Sequence, residues 1–548
     1  MKILSLLALL LLAQPMAAER QKLNFNGNWQ LHYPAEAIQY PNQTRTVTLP
    51  RAWNEDWAYR VDIHDLPDDT CRYTKLFTAP AEWQGKHVFI EFEGARQSAE
   101  VWLNGHRLGL HQNGVMAFGF ELTPYILIGK ENRLEVLTDN DWAYKERNAD
   151  GTPLLVEKGA VETKDGNNLP GNTLLPTSFQ WNNKNFNMNM GGLPKNVNLH
   201  VTDAVYQTLP LYSNLGTTGT YVYGTDYDIK GRRVTANIES QVINSTTSAQ
   251  KVTLQVDILD RDGKKIAHFT GKSKTIAAGD TVTLSASKRL SDVNFWSWGY
   301  GYLYTVKTSL VMNGAISDEV TIHTGFRKTQ FGNGLVWLND RCIMVHGYAQ
   351  RTSNEWPSIG IDIPAWLADY SNDLMVKSGG NLVRWMHVTP SKLDIESCDR
   401  VGLIQAMPAG DAEKDVVGRH WSQRTELMRD AIIYNRNNPS ILFYEGGNES
   451  ISRDHMNELI AIRNQYDPKG GRAIGSREML DINEAEYGGE MLYINKSGKH
   501  PMWAMEYCRD EGLRKYWDEY SYPYHKEGDG PLYRNQPAPD YNHNMDQF

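Results

Sequence analysis

The chain has 548 residues, too many for one hydrophobic core, and about three domains are expected. Its composition is that of a globular protein, 41% apolar and 22% charged. A formal net charge of −9 argues against nucleic acid as a partner, because its binders need a basic surface.

In chain order, Met1-Lys2-Ile3, an apolar run to Leu12 and Gln14-Pro15-Met16-Ala17-Ala18 read as a signal peptide over 1–18. This implies secretion or a periplasmic location. The run is too short to span a bilayer as a mature helix, and no cysteine stands near the cleavage region to carry a lipid anchor. No second long apolar run follows, so membrane insertion is not expected. Cys71, Cys342, Cys398 and Cys508 lie far apart without metal-ligand spacing and read as free buried thiols. The 16 Trp and 28 Tyr suit stacking on sugar faces, although β-rich folds use many aromatics anyway.

Residues 19–203 read as β structure. Val88, Ile90 and Phe92 alternate with other residues, as in strands with one buried face, and Asn104-Gly105 is a hairpin turn. In residues 204–326, Val252, Leu254, Val256 and Ile258 alternate, Gly279-Asp280 marks a turn, and the length fits an immunoglobulin-like sandwich. Over 327–548 the rhythm changes. Apolar runs at Ile343-Met344-Val345, Leu382-Val383, Leu403-Ile404 and Ile441-Leu442-Phe443 alternate with helical patterns at 364–378, 391–400, 423–435 and 453–466. That order predicts a parallel sheet closed as a (β/α)8 TIM barrel, with catalytic groups at the carboxyl ends of its strands.

The densest local signal runs from Asn438-Pro439-Ser440-Ile441 to Glu445-Gly446-Gly447-Asn448-Glu449. A buried strand followed by two glycines presents Asn448 and Glu449 at a barrel strand's carboxyl end. A partly buried carboxyl group there can hold a raised pKa and act as general acid. A second carboxylate, Glu506, ends the apolar stretch Pro501-Met502-Trp503-Ala504-Met505, 57 residues further on. Two carboxylates about 5–5.5 Å apart give hydrolysis with retention through a glycosyl-enzyme intermediate. Glu486 is a rival nucleophile that lacks a Pro-led strand before it.

These motifs resemble glycoside hydrolase family 2, the family of β-galactosidases, β-glucuronidases and β-mannosidases. The resemblance covers nearly the whole chain after the leader. Phe92-Glu93-Gly94, Ala99 to Gly105 and Asn132 to Val136 are similar to the family's jelly-roll domain. Gly191-Gly192-Leu193 resembles that domain's closing segment, and Gly325-Phe326-Arg327 the start of the barrel. The resemblance implies an exo-β-glycosidase, most readily a β-galactosidase, with Glu449 as acid/base and Glu506 as nucleophile. It implies that Asn448 binds the sugar 2-hydroxyl, that Arg384 supports the nucleophile, that His387 touches the sugar and that Tyr487 flanks the nucleophile. No cofactor is implied.

The departures matter equally. The third barrel strand leads to Gln405-Ala406-Met407-Pro408 rather than to an acidic residue, so no metal is predicted. The Asn-x-Lys element by which β-glucuronidases of the family read a sugar carboxylate has no match beyond Glu506. Only 42 residues follow Glu506, without a convincing eighth strand, so the barrel is expected to lack its last βα unit. The competing readings are β-glucuronidase or another specificity of the family and, given the missing unit, a carbohydrate-binding protein without catalysis.

Overall fold

The structure, a computed structural model, describes residues 20–60, 66–141, 145, 189–350, 362–386, 388–409, 415–448, 451–477, 484–490 and 499–505. The segment read as a signal peptide and everything from Glu506 onward lie outside those residues, as do His387 and Glu449.

The first β unit is a pair of antiparallel sheets. One has the strand order Gln21–Asn24, Val197–Thr202, His87–Phe92, Phe118–Glu121. The other runs Thr44–Val47, Trp29–His32, Thr70–Thr78, Glu131–Asp139, Ser98–Leu103, His106–Gln112. Trp29, Tyr73, Val101 and Val136 of the second sheet meet Val88, Ile90 and Leu199 of the first in one core. Asn104 and Gly105 both take positive φ, 53° and 82°, as a two-residue hairpin of this twist demands. The strand His87–Phe92 departs from the one-sided burial its alternation predicts. Its outer face is covered as well, because Phe89 packs against Tyr206, Leu209 and Leu211 on the way to the second unit.

The second unit is a sandwich whose inner faces interdigitate Val234, Ile238 and Val242 with Val252, Leu254, Val256 and Ile258. The period-two pattern of Arg233–Asn244 and Gln250–Leu259 is therefore the direct cause of its core.

After a three-stranded antiparallel ribbon, Thr329–Gly332, Leu335–Leu338 and Arg341–Ile343, seven parallel strands follow in sequence order. They are β1 (Gly347–Gln350), β2 (Leu382–Trp385), β3 (Ile404–Pro408), β4 (Ile441–Glu445), β5 (Ala473–Arg477), β6 (Tyr487–Glu490) and β7 (Met502–Ala504). Four helices connect the first five: α1 (Ala365–Lys377), α2 (Lys392–Val401), α3 (Gly418–Asn435) and α4 (Arg453–Tyr466). The run Ile343-Met344-Val345 is not the first barrel strand. Ile343 ends the antiparallel ribbon and Met344 is 75% exposed, so nothing there is buried on two sides as a barrel strand must be. Helix α3 begins at Gly418, five residues before the predicted start at 423. Of the cysteines, Cys71 and Cys398 are free and buried, whereas Cys342, in the exposed ribbon, is free and exposed.

The base of β4 is fixed by buried cations. Arg327, in the segment leaving the second β unit, donates through Nε to the Pro439 carbonyl at 2.6 Å and through Nη2 to that of Ile441 at 2.7 Å. Arg472 donates to the Asn438 carbonyl at 2.7 Å and pairs with Asp467 at 2.8 Å. The other oxygen of Asp467 accepts from the Tyr221 hydroxyl of the second unit at 2.7 Å. Removing one partner of a buried pair costs about 3–5 kcal/mol because the other charge stays behind. Asp467→Asn is accordingly expected to lower unfolding free energy by that amount in urea titration. A loss under about 1 kcal/mol would mean that the network does not anchor the strand.

Candidate active site

The motif around β4 divides into a structural half and a chemical half. Asn438 and Ser440 are bound by Asp399 of α2. The Ser440 amide donates to Asp399 Oδ1 at 3.0 Å, and the Asn438 side-chain amide donates to Oδ2 at 2.5 Å. The Ser440 hydroxyl donates to the same carboxylate. Burial pushes the Asp399 carboxyl up to about 6 against these donors, which favour the charged form. Asn-Pro-Ser-Ile thus sets where the strand starts. Asp399→Asn would turn an accepting oxygen into a donor facing donors, at an expected cost of about 1–3 kcal/mol by urea unfolding.

At the carboxyl end, a Cβ on Gly446 would stand 2.5 Å from Leu459 Cδ1. A Cβ on Gly447 would run into Ile451 and come within 3.1 Å of Arg424 Nη1. Only glycine lets the chain leave β4 so close to α3 and α4. The Ser476 hydroxyl, at the end of β5, donates to the Gly447 carbonyl, and Arg477 lies next to it, buried.

Period-two parity then decides which side chains enter the barrel. On β4, Phe443 joins the interior cluster with Tyr487 and Trp503, whereas Tyr444 faces the helices. Glu445 shares the inward parity of Phe443. On β2, Leu382 belongs to the interior cluster and Arg384 shares its parity, whereas Val383 and Trp385 pack outward. Arg384 and Glu445 meet across the interior. Arg384 Nε donates to Glu445 Oε2 at 2.8 Å, and Nη2 donates to Oε1 at 2.6 Å. The same Nη2 donates to Asn448 Oδ1 at 2.7 Å. All three are buried, at 2%, 1% and 3% exposure.

The structure therefore brings two of the sequence-predicted residues, Arg384 and Asn448, into direct contact, and pairs Arg384 with a further residue, Glu445, that the sequence reading passed over. Its signal was present: a carboxylate at the inward parity of an apolar strand. Tyr487 is fully buried, stacks on Trp503 with ring centroids 5.0 Å apart, and donates its hydroxyl to the Tyr444 carbonyl at 3.1 Å. Burial raises its phenol pKa. Glu449 directly follows Asn448, and Glu506 directly follows the buried Met505 beyond β7. These two and His387 lie outside the described residues. Glu486 faces the other way. It is bound by Arg463 of α4 at 2.5 and 2.8 Å and accepts the Ile474 amide at 3.0 Å, outside the barrel interior.

Two β units and a seven-stranded parallel half-barrel sheet, with polar groups gathered at the strands' carboxyl ends, define a multidomain β plus α/β protein. Comparison with known proteins makes this specific. Residues 17–153 match the model of the glycosyl hydrolases family 2 sugar binding domain, and residues 220–327 match that of glycosyl hydrolases family 2. A beta-glucuronidase of Formosa agariphila is 32% identical over 525 residues, 92% of this chain and 50% of that protein. A beta-galactosidase of Bacteroides ovatus is 24% identical over 80% of this chain and 48% of its own length. Among solved structures, a family 2 beta-glucuronidase superposes with a TM-score of 0.74 at 30% identity, covering 86% of this chain and 48% of that one. The chain belongs to glycoside hydrolase family 2. It spans about half the length of these relatives.

The buried pair invites a double-mutant cycle. Arg384→Met and Glu445→Leu should each destabilise, and the double variant should lose less than their sum, with a coupling of about 0.5–3 kcal/mol in urea unfolding. Additive losses would show that the two charges do not depend on each other.

Proposed function

We propose that the chain is the catalytic part of a retaining exo-β-glycosidase, exported by its leader, that releases terminal β-linked uronic acid residues. The β-galactosidase expected from the sequence gives way to the β-glucuronidase alternative. The 32% relative carries that name, whereas the galactosidase relative is more distant at 24%.

The observation that carries the proposal is the buried Arg384–Glu445–Asn448 array at the carboxyl end of β4. Arg384 donates to the Asn448 carbonyl oxygen, so the amide NH2 group is turned away from the guanidinium, the polarity needed to hold a sugar 2-hydroxyl oxygen. That contact strengthens as the ring approaches an oxocarbenium-like transition state. In this reading Glu449 protonates the leaving oxygen, Glu506 attacks the anomeric carbon, and Glu449 then activates the water that hydrolyses the glycosyl-enzyme. The Glu486–Arg463 pair supports Glu506 as nucleophile by engaging its rival elsewhere.

A panel of aryl β-glycosides tests this. The glucuronide should be the best substrate, and Glu449→Gln should lower kcat by about 10²–10⁴-fold on substrates with poor leaving groups. Full turnover by Glu506→Ala would refute the nucleophile. A panel left wholly unhydrolysed, with sugar binding intact by calorimetry, would favour the binding-protein reading instead.

A further inference from the structure

Arg96 stands in the loop joining strands His87–Phe92 and Ser98–Leu103 of the first β unit. It is 2% exposed, and no described residue lies within hydrogen-bond distance of its Nε or Nη2. Arg327, Arg384, Arg463 and Arg472, by contrast, each donate to a carbonyl or a carboxylate. Burial pushes the Arg96 guanidinium down to about 9. Its neighbour Lys195 is also buried and donates to the Val115 carbonyl at 3.0 Å. Lys195 is attracted by Asp362 and Glu93 and repelled by Arg96. The carboxylates of this pocket thus serve the lysine. Two cations therefore influence one another here, and Nε and Nη2 of one of them have no hydrogen-bond partner among the described residues.

The location is equally specific. A Cβ on Gly114 would lie 3.4 Å from Arg96 Nε, so the loop after strand His106–Gln112 packs directly on the guanidinium. That loop is seated on the barrel. Gln423 of α3 donates to the Gln112 carbonyl at 2.8 Å. Val115 and Met116 share an apolar cluster with Val388, Ala409 and Ile451. Those three follow β2, β3 and β4 respectively, at the end of the barrel that presents Asn448.

We propose that Arg96 is an anion-binding group for the saccharide, taking a carboxylate or sulfate substituent of the sugar where the first β unit meets the barrel rim. The proposal rests on the glycosidase reading for its saccharide. A guanidinium offers two parallel donors that match either oxyanion, and an unpaired buried guanidinium is costly to keep empty.

The test uses the full chain and the variants Arg96→Met and Arg96→Lys. The first reading is thermal stability in D-glucuronate, in inorganic sulfate and in chloride at equal ionic strength. Without ligand, Arg96→Met should melt at or above the wild-type temperature, because an uncompensated charge is gone. Glucuronate or sulfate should raise the wild-type melting temperature and leave Arg96→Met unmoved. A response to glucuronate alone assigns a uronate, and one to sulfate alone assigns a sulfate ester. The second reading is the ratio of kcat/KM for aryl β-glucuronide over aryl β-galactoside, expected to fall by about 10- to 100-fold in Arg96→Met and to recover in part in Arg96→Lys. Inactivity on all glycosides would count against the proposed function while the melting arm still reads anion binding. A destabilised Arg96→Met, or equal responses to all three anions in wild type and variant, would overturn the proposal.

Discussion

The ion pair between Arg384 and Glu445 constrains the barrel interior because neither charge can be buried there alone. Their strands, β2 and β4, are separated by β3, so the pair spans the interior rather than a neighbouring ladder. Both donors of the guanidinium edge are used, one oxygen each, and the Nη2 group is shared with Asn448. A bidentate pair fixes orientation as well as separation. Asn448 is thereby held by a group on another strand instead of by its own loop. The glycines before it allow the close approach but impose no direction; the guanidinium does.

The position of that pair depends in turn on β4 starting in the right register. One residue of slip would turn Glu445 outward and Tyr444 inward. Asp399 of α2 and the cations Arg327 and Arg472 bind the residues just before the strand, and Tyr221 joins the second β unit to Asp467. The β sandwich next to the barrel is therefore part of what places the site: Arg327 leaves it directly and binds the strand's backbone.

Much of this was legible in the sequence because it is local. The strand ending in Gly-Asn-Glu, the alternating strands of the second sandwich and helix α4 at 453–466 all follow from periodicity and turn chemistry within a few residues. What escaped was what depends on contacts distant in sequence. Glu445 reads as the polar end of a strand until its partner, 61 residues earlier, is known. The double burial of His87–Phe92 comes from the linker that crosses it. Ile343-Met344-Val345 is apolar enough for a barrel strand, and only its pairing shows it to be the edge of a ribbon. Arg96 is a loop cation by sequence and an unmatched buried charge by structure.

The buried pair is also better understood as a device for position than for stability. Replacing a buried ion pair by apolar residues of similar volume is often neutral or stabilising, since desolvation offsets most of the Coulomb attraction. A barrel interior that already packs Phe443, Tyr487 and Trp503 could be apolar at these two positions as well. Retaining two charges there brings little folding energy that hydrocarbon could not, yet it gives a fixed, directional acceptor–donor pattern that hydrocarbon cannot. The same reasoning applied to Arg96 gives the opposite balance. Its desolvation is not offset by a hydrogen-bond partner for Nε or Nη2 among the described residues, and in our proposal that partner is the ligand. One guanidinium is matched within the fold and orients an amide; the other, among the described residues, is left without a partner for Nε and Nη2 beside the loop that packs on the barrel rim.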